Sequence, residues 1–199
     1  YHIPVLCEKP ITDSVESIRR IYKKANRSNI PFAITFSHRF TKPIQALHKE
    51  ISSGAYGKLD YLVMNFTCKE ENSFSPRKFT APELMTNEYN IHHLEFLLYL
   101  AGSPCEWIFT DKWNPPHAPL LLGGSQGMTI IKCKNGVRIS LESNIAAANS
   151  LHGWGNDFIR AELEKAELLL DGDQLYCYWK DKEAPVNHSC EPELLPMEE

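Results

Sequence analysis

Several familiar signatures are missing from these 199 residues. No stretch approaches the ~20 consecutive apolar residues that cross a bilayer, and no charged region followed by a short apolar run opens the chain, so no membrane partner is expected. Basic charge is not in excess. The formal net charge is -4, which argues against nucleic acid or an anionic surface as the main partner. The six cysteines (Cys7, Cys68, Cys105, Cys133, Cys177 and Cys190) contain no C-x-x-C pair. Their even number permits three disulfides. A chain of this length buries about 70% of its unfolded surface, however, and does not need them, so free thiols in a reducing, cytoplasmic setting are expected. No sequence repeats internally. The glycines of GGSQG at 123–127 lack the G-x-G-x-x-G spacing and precede a strand-like pattern, so no pyrophosphate cradle is present.

What is present reads as one large domain or two small ones. IPVLC, residues 3–7, reads as a short buried strand, and Thr12 or Asp13 as the cap of a helix carrying Val15, Ile18, Ile21, Tyr22 and Ala25 on one side. Phe32–Phe36 reads as a strand. Pro43 starts a helix with Ile44, Leu47 and Ile51 inward and Gly54 at its end. KLDYLVMNFTC is a strand, 69–81 a polar loop, and Pro82–Leu100 a second long helix stopped by Gly102 and Pro104. Strands follow at 105–111, 127–133, 137–143, 157–165, 167–171 and 174–179, with hairpin signals at Asn135-Gly136 and Asp171-Gly172. Strands in sequence joined by tight turns predict an α+β fold: an open, mostly antiparallel sheet with helices packed on one face. From about 181 the chain turns polar and proline-rich, a loose tail over 181–199. Because it opens on Tyr1 inside a strand-like run, a preceding segment is also expected.

Three stretches carry candidate chemistry. In VLCEKP an acid and a base, Glu8 and Lys9, end a strand and meet Pro10. The residue before proline is held extended, so Lys9 is aimed in one direction, and a lysine there can bind a substrate hydroxyl. The plainer alternative is a surface lysine paired with Glu8. In NEYNIHHLEFLLYLAG, Glu88 and His92 stand four apart, about 40° from each other on a regular helix. A carboxylate there can orient an imidazole for proton transfer near neutrality. The stripe Leu94, Leu97, Leu98 and Ala101 sets His93 beside the core and His92 toward a rim. An ordinary packed histidine pair is the alternative. A metal set of Glu88, His92 and Glu95 lacks a third strong ligand at a familiar spacing, and no metal is expected. In SHRFTKP, Arg39 either binds a carboxylate of a substrate or pairs with a core acid, and Phe40 reads as a packing residue. Asn65, in the strand-like run before Cys68, joins Arg39 as a candidate substrate contact.

Together, HIPVLCEKPITDSVESIRRIYKKAN, HRFTKPIQALHKEISSGAYGKL, HHLEFLLYLAG and ELEKAELLLDGDQLYCYW come in an order that resembles the C-terminal, substrate-side part of Gfo/Idh/MocA oxidoreductases. The resemblance implies that residues 1–12 are the last strand and E-K-P segment of a Rossmann domain. It makes 13–180 a substrate-binding and dimerising α+β domain. Such enzymes move a hydride between NAD or NADP and a hydroxyl-bearing carbon of a sugar, cyclitol or polyol. By the same resemblance Lys9 binds the reacting hydroxyl and His92 acts as acid/base, with Glu88 at the aspartate position of the D-x-x-x-H motif, one methylene longer. Glu8, Lys9 and Pro10 face the cofactor, and the Lys9–Pro10 peptide is cis. The remaining implications are a homodimer or higher homo-oligomer formed through the sheet and, without the dinucleotide-binding half, a chain that neither binds cofactor nor turns over. The alternative is a catalytically silent relative that binds a ligand or protein.

Overall fold

In Leu59–Thr67 (β3) every second residue is buried, and that alternation builds the centre of the fold. Leu62, Met64 and Phe66 are fully buried on one face, each contributing about 1.5–3 kcal/mol of burial free energy. The computed structural model describes residues 3–69, 85–117, 123–180 and 193–197. Strand β3 lies inside an eight-stranded sheet with β4 (Cys105–Trp113), β5 (Gln126–Cys133), β6 (Arg138–Asn144), β7 (Phe158–Leu163), β8 (Ala166–Asp171), β9 (Gln174–Trp179) and β10 (Glu193–Leu195). The spatial order is β10-β9-β8-β7-β3-β6-β5-β4. All neighbours are antiparallel except β3 with β6.

One face of this sheet is covered by α2 (Lys42–Ser52) and α3 (Ile91–Ala101). Pro43 lies in the first turn of α2, and Ile44 and Leu47 point inward, fully buried. In α3 the residues Phe96, Leu97, Leu100 and Ala101 are buried, and Leu94 and Leu98 pack partly against the same core. The expected α+β architecture is therefore the observed one.

Several local expectations are corrected. Ser14, not Thr12 or Asp13, caps α1 (Val15–Ser28): its hydroxyl accepts the Ser17 N–H at 3.3 Å, while Thr12 Oγ1 accepts the Ser14 N–H. The second long helix, expected from Pro82, is not regular where the described residues resume. Residues 82–84 lie outside the described residues, and Met85–Asn90 wind as a wider π-helical turn before α3 begins. That winding brings Met85 and Asn90, five apart, both into the interior, where the Ser143 hydroxyl donates to the Asn90 side chain at 2.8 Å. Phe40 is 72% exposed and does not pack. The expected loose tail is partly ordered: Glu193–Leu195 take the open edge of β9, and Leu195 and Met197 lean on the core. Residues 181–192, with Cys190, lie outside the described residues.

The amino-terminal portion is a separate small unit. Strands β1 (Val5–Cys7) and β2 (Phe32–Ile34) pair in parallel, joined by α1. The expectation that residues 3–7 are buried does not hold: Leu6 is 71% exposed, and no residue of α1 is buried. The reason is that β1 pairs with β2 alone, and nothing described covers the apolar side of the unit.

Candidate functional site

Four segments converge beside the helical face. The first is the end of β1. The Cys7 carbonyl accepts both the N–H and the hydroxyl of Thr35, which fixes the strand end, and Glu8, Lys9 and a cis Lys9–Pro10 peptide follow. The second is a tight 3-10 turn at Ser37–Phe40. The third is the π-helical turn with the start of α3. The fourth is the loop between β6 and β7, tied to the end of β3 because Thr67 and His152 exchange hydrogen bonds at 3.1 and 3.2 Å.

Lys9 Nζ donates to the Glu88 carbonyl and to Glu88 Oε2, both at 3.1 Å. The lysine thus pairs with an acid 79 positions away, not with its exposed neighbour Glu8. The ammonium end is sheltered, with 15% of the side chain exposed, whereas Glu88 keeps 41% in solvent. His92 lies half-buried within the field of both. Burial, then the charges of Lys9 and His38, push its pKa down from 6.5 to about 4, against an opposing pull from Glu88 and Glu8. Its imidazole is therefore neutral at pH 7. The ring stands edge-on to Phe36 and Trp154, at centroid distances of 6.4 and 5.4 Å, and Nδ1 is buried with no hydrogen-bond partner among the described residues.

His93 is wholly buried, as its place beside the apolar stripe requires. It packs on Phe66 at 4.3 Å and stacks with Trp154 at 5.3 Å. Burial first, then His38 and His92, hold it well below the ordinary imidazole range. Sequence reasoning missed the group that closes this cluster. His38 Nε2 meets Asp157 Oδ2 at 2.8 Å, with side chains only 10% and 5% exposed, and the His38 ring stacks on Phe96 at 5.1 Å. It also missed Trp154, which is 43% exposed yet contacts Phe66, Tyr89, His38, His92 and His93. Two signals were readable: His38 immediately precedes Arg39, and HGWGND sets a tryptophan between glycines in a polar loop.

The structure brings Glu8, Lys9, Pro10, Glu88 and His92 together, but not the two expected substrate contacts. Arg39 is committed to Glu95, donating from Nε to Oε2 at 3.1 Å and from Nη2 to Oε1, and lies over the Tyr99 ring at 4.5 Å. This is the core-acid pairing open to it from sequence. Asn65 alternates with Met64 and Phe66 and so faces the opposite side of the sheet, between Glu142 and Phe158. With Glu95 held by Arg39, the set Glu88, His92 and Glu95 does not form, and no cluster of three metal-ligating side chains occurs among the described residues. Nor is any described helix long and apolar enough to cross a membrane.

A two-stranded parallel β-α-β unit that places Lys9 on Glu88, beside His92, on the helical face of an open, mostly antiparallel sheet defines an α+β protein. No family model matches the chain. It is 28% identical over 169 residues to an uncharacterized protein, y4oX, of Sinorhizobium fredii, covering 84% of this chain and 47% of that one. It is 29% identical over 146 residues to inositol 2-dehydrogenase of Leifsonia xyli subsp. xyli, covering 72% and 41%. Among solved structures, an inositol dehydrogenase homolog from Azotobacter vinelandii, complexed with NADH and myo-inositol, superposes with a TM-score of 0.76 at 17% identity, covering 96% of this chain and 49% of that one. The chain is homologous to inositol 2-dehydrogenases and carries the C-terminal domain fold of Gfo/Idh/MocA-type oxidoreductases. It spans less than half the length of these curated relatives.

Proposed function

We propose that this chain is the substrate-side portion of an NAD(P)-dependent oxidoreductase that moves a hydride between nicotinamide and a hydroxyl-bearing carbon of a sugar, cyclitol or related polyol. The observation that carries the reading is the meeting of Lys9 with Glu88 at 3.1 Å beside the neutral His92. The relatives named inositol 2-dehydrogenase support the polyol class.

The residues present fit only one end of such a cofactor. No glycine-rich turn precedes α1, but the apolar side of the β1-α1-β2 unit is open along a groove of about 380 Å³ lined by Ile11, Ile18, Ile21 and Phe32. An uncovered face of that kind suits the edge of a larger parallel sheet, where the rest of a dinucleotide-binding domain would dock. Glu8, Lys9 and Pro10 would then border the nicotinamide. The bound cofactor supplies the hydride acceptor or donor. Lys9, with two of its protons on Glu88, offers the third to a substrate hydroxyl. Neutral His92 accepts a proton from that hydroxyl or returns one. The surrounding rings keep water from the imidazole. Free thiols at the five described cysteines suit a reducing, cytoplasmic setting. On the open face of the sheet Trp107, Phe109, Met128 and Ile130 lie exposed on one side, the material for a homodimer.

The competing reading, a catalytically silent binding module, draws on the same contact: Glu88 occupies the amine that a substrate would need. The test uses the intact enzyme containing this chain. Lys9→Met and His92→Ala are each expected to lower kcat/KM for a polyol by roughly 10²–10⁴. An intact protein inactive over a broad polyol panel with both NAD and NADP favours the silent module instead.

A further inference from the structure

Cys105 opens edge strand β4, and Cys133 closes β5 directly opposite it in the register. The Cys133 N–H donates to the Val137 carbonyl at 2.8 Å, so it is turned toward β6 and away from Cys105. One step further along, the Lys134 N–H donates to the Pro104 carbonyl at 3.0 Å. The register shifts between Cys105 and Trp107, a bulge at Glu106, so Cys105 and Cys133 face each other at the bulged end of the ladder, and both pack on the same core. Cys133 is fully buried there, and Cys105 packs partly against the same core. Opposed residues of neighbouring antiparallel strands lie roughly 4.5–5.5 Å apart at Cα, within the roughly 4.4–6.8 Å range that disulfides span. Both are free thiols.

We infer that Cys105 and Cys133 form an oxidisable dithiol, a modification site that a low-molecular-weight disulfide closes into a cross-strand bond pinning the edge strand. Cys105, the half-exposed partner, attacks first. Its thiolate displaces one thiolate from the small disulfide and forms a mixed disulfide. The Cys133 thiolate then attacks the Cys105 sulfur and displaces the second small thiolate. Two protein thiols are oxidised, one small disulfide is reduced to two thiols, and the two protein protons leave with those thiols. Burial, together with the neighbouring Cys105, raises the Cys133 pKa, which suits it to the second, intramolecular step, where proximity offsets a low thiolate fraction.

The test equilibrates the purified chain with glutathione disulfide, quenches in acid, alkylates after unfolding and maps peptides without reduction. The expected result is one joined species linking Cys105 to Cys133, with Cys7 alkylated. Cys105→Ser and Cys133→Ala each abolish that species. The parent map alone decides the matter if either variant fails to fold. A stable glutathione adduct on Cys105 with Cys133 still alkylated, Cys133 joined to any other cysteine, or no joined species across the glutathione redox range overturns the proposal.

Discussion

Removing the imidazole of His92 should change how the fold responds to acid, and the structure sets the sign and the size. Its pKa falls from 6.5 to about 4 on folding, with burial as the largest cause. Between those values the unfolded chain takes up a proton that the folded chain refuses. Stability is therefore fully present above pH 6.5 and is lost as pH falls toward 4, levelling off below. At roughly 1.4 kcal/mol per unit, the drop corresponds to about 3 kcal/mol, and partial exposure with salt screening reduces this to about 2 kcal/mol. In a His92→Gln variant that slope should disappear. His93 acts in the same sense at lower pH, because it too is held neutral, and it remains in both proteins.

The assay is urea unfolding of parent and variant from pH 7.5 to 4, with the difference in free energy plotted against pH so that carboxylates common to both cancel. A parallel NMR titration of the His92 ring protons should place its midpoint near 4. Lys9→Met should raise that midpoint but leave it below 6.5, because burial outweighs the lysine charge. Parallel stability curves for the two proteins, or a His92 midpoint at or above 6.5, would refute the reasoning.

Arg39→Met leaves the Glu95 carboxylate, only 18% exposed, without its partner and should cost about 1–3 kcal/mol by urea unfolding, with KM for a polyol unchanged in the intact enzyme. A raised KM with unchanged stability would restore Arg39 as a substrate contact. Phe66→Ala removes a fully buried ring that meets Tyr89, His93 and Trp154 and should cost about 3–5 kcal/mol, read as a lower urea midpoint. Titration of this chain alone with NADH and with NADPH should give no tight binding, and calorimetry showing it would remove the cofactor reading above.

What could be read from sequence follows from range. The alternation in β3 and the turns at Asn135-Gly136 and Asp171-Gly172 are local, and they yielded six later strands within two residues of their observed ends. Two contacts that make the site are remote. His38 reaches Asp157 across 119 positions and Lys9 reaches Glu88 across 79, and no period or spacing carries such information. Burial misled where a partner surface was assumed: IPVLC and the stripe of α1 are apolar as a buried unit should be, yet both stay open. The π-helical turn also defeats the 3.6-residue wheel, so the 40° relation between Glu88 and His92 does not transfer to the folded chain.

That wider turn bears directly on the chemistry. It leaves both the Glu88 carbonyl and the Glu88 carboxylate within 3.1 Å of Lys9 Nζ, so a single residue takes two of the amine's three protons from two directions. The third proton then points along the one direction left, and a hydroxyl that binds there is oriented by the backbone as much as by the side chain. Shortening the carboxylate with Glu88→Asp would keep the carbonyl contact while withdrawing the other, returning to Lys9 a proton that a substrate could use. In the oxidoreductase reading this lowers KM or raises kcat. In the silent-module reading it does neither, because an amine freed without a reaction to serve changes only its hydration.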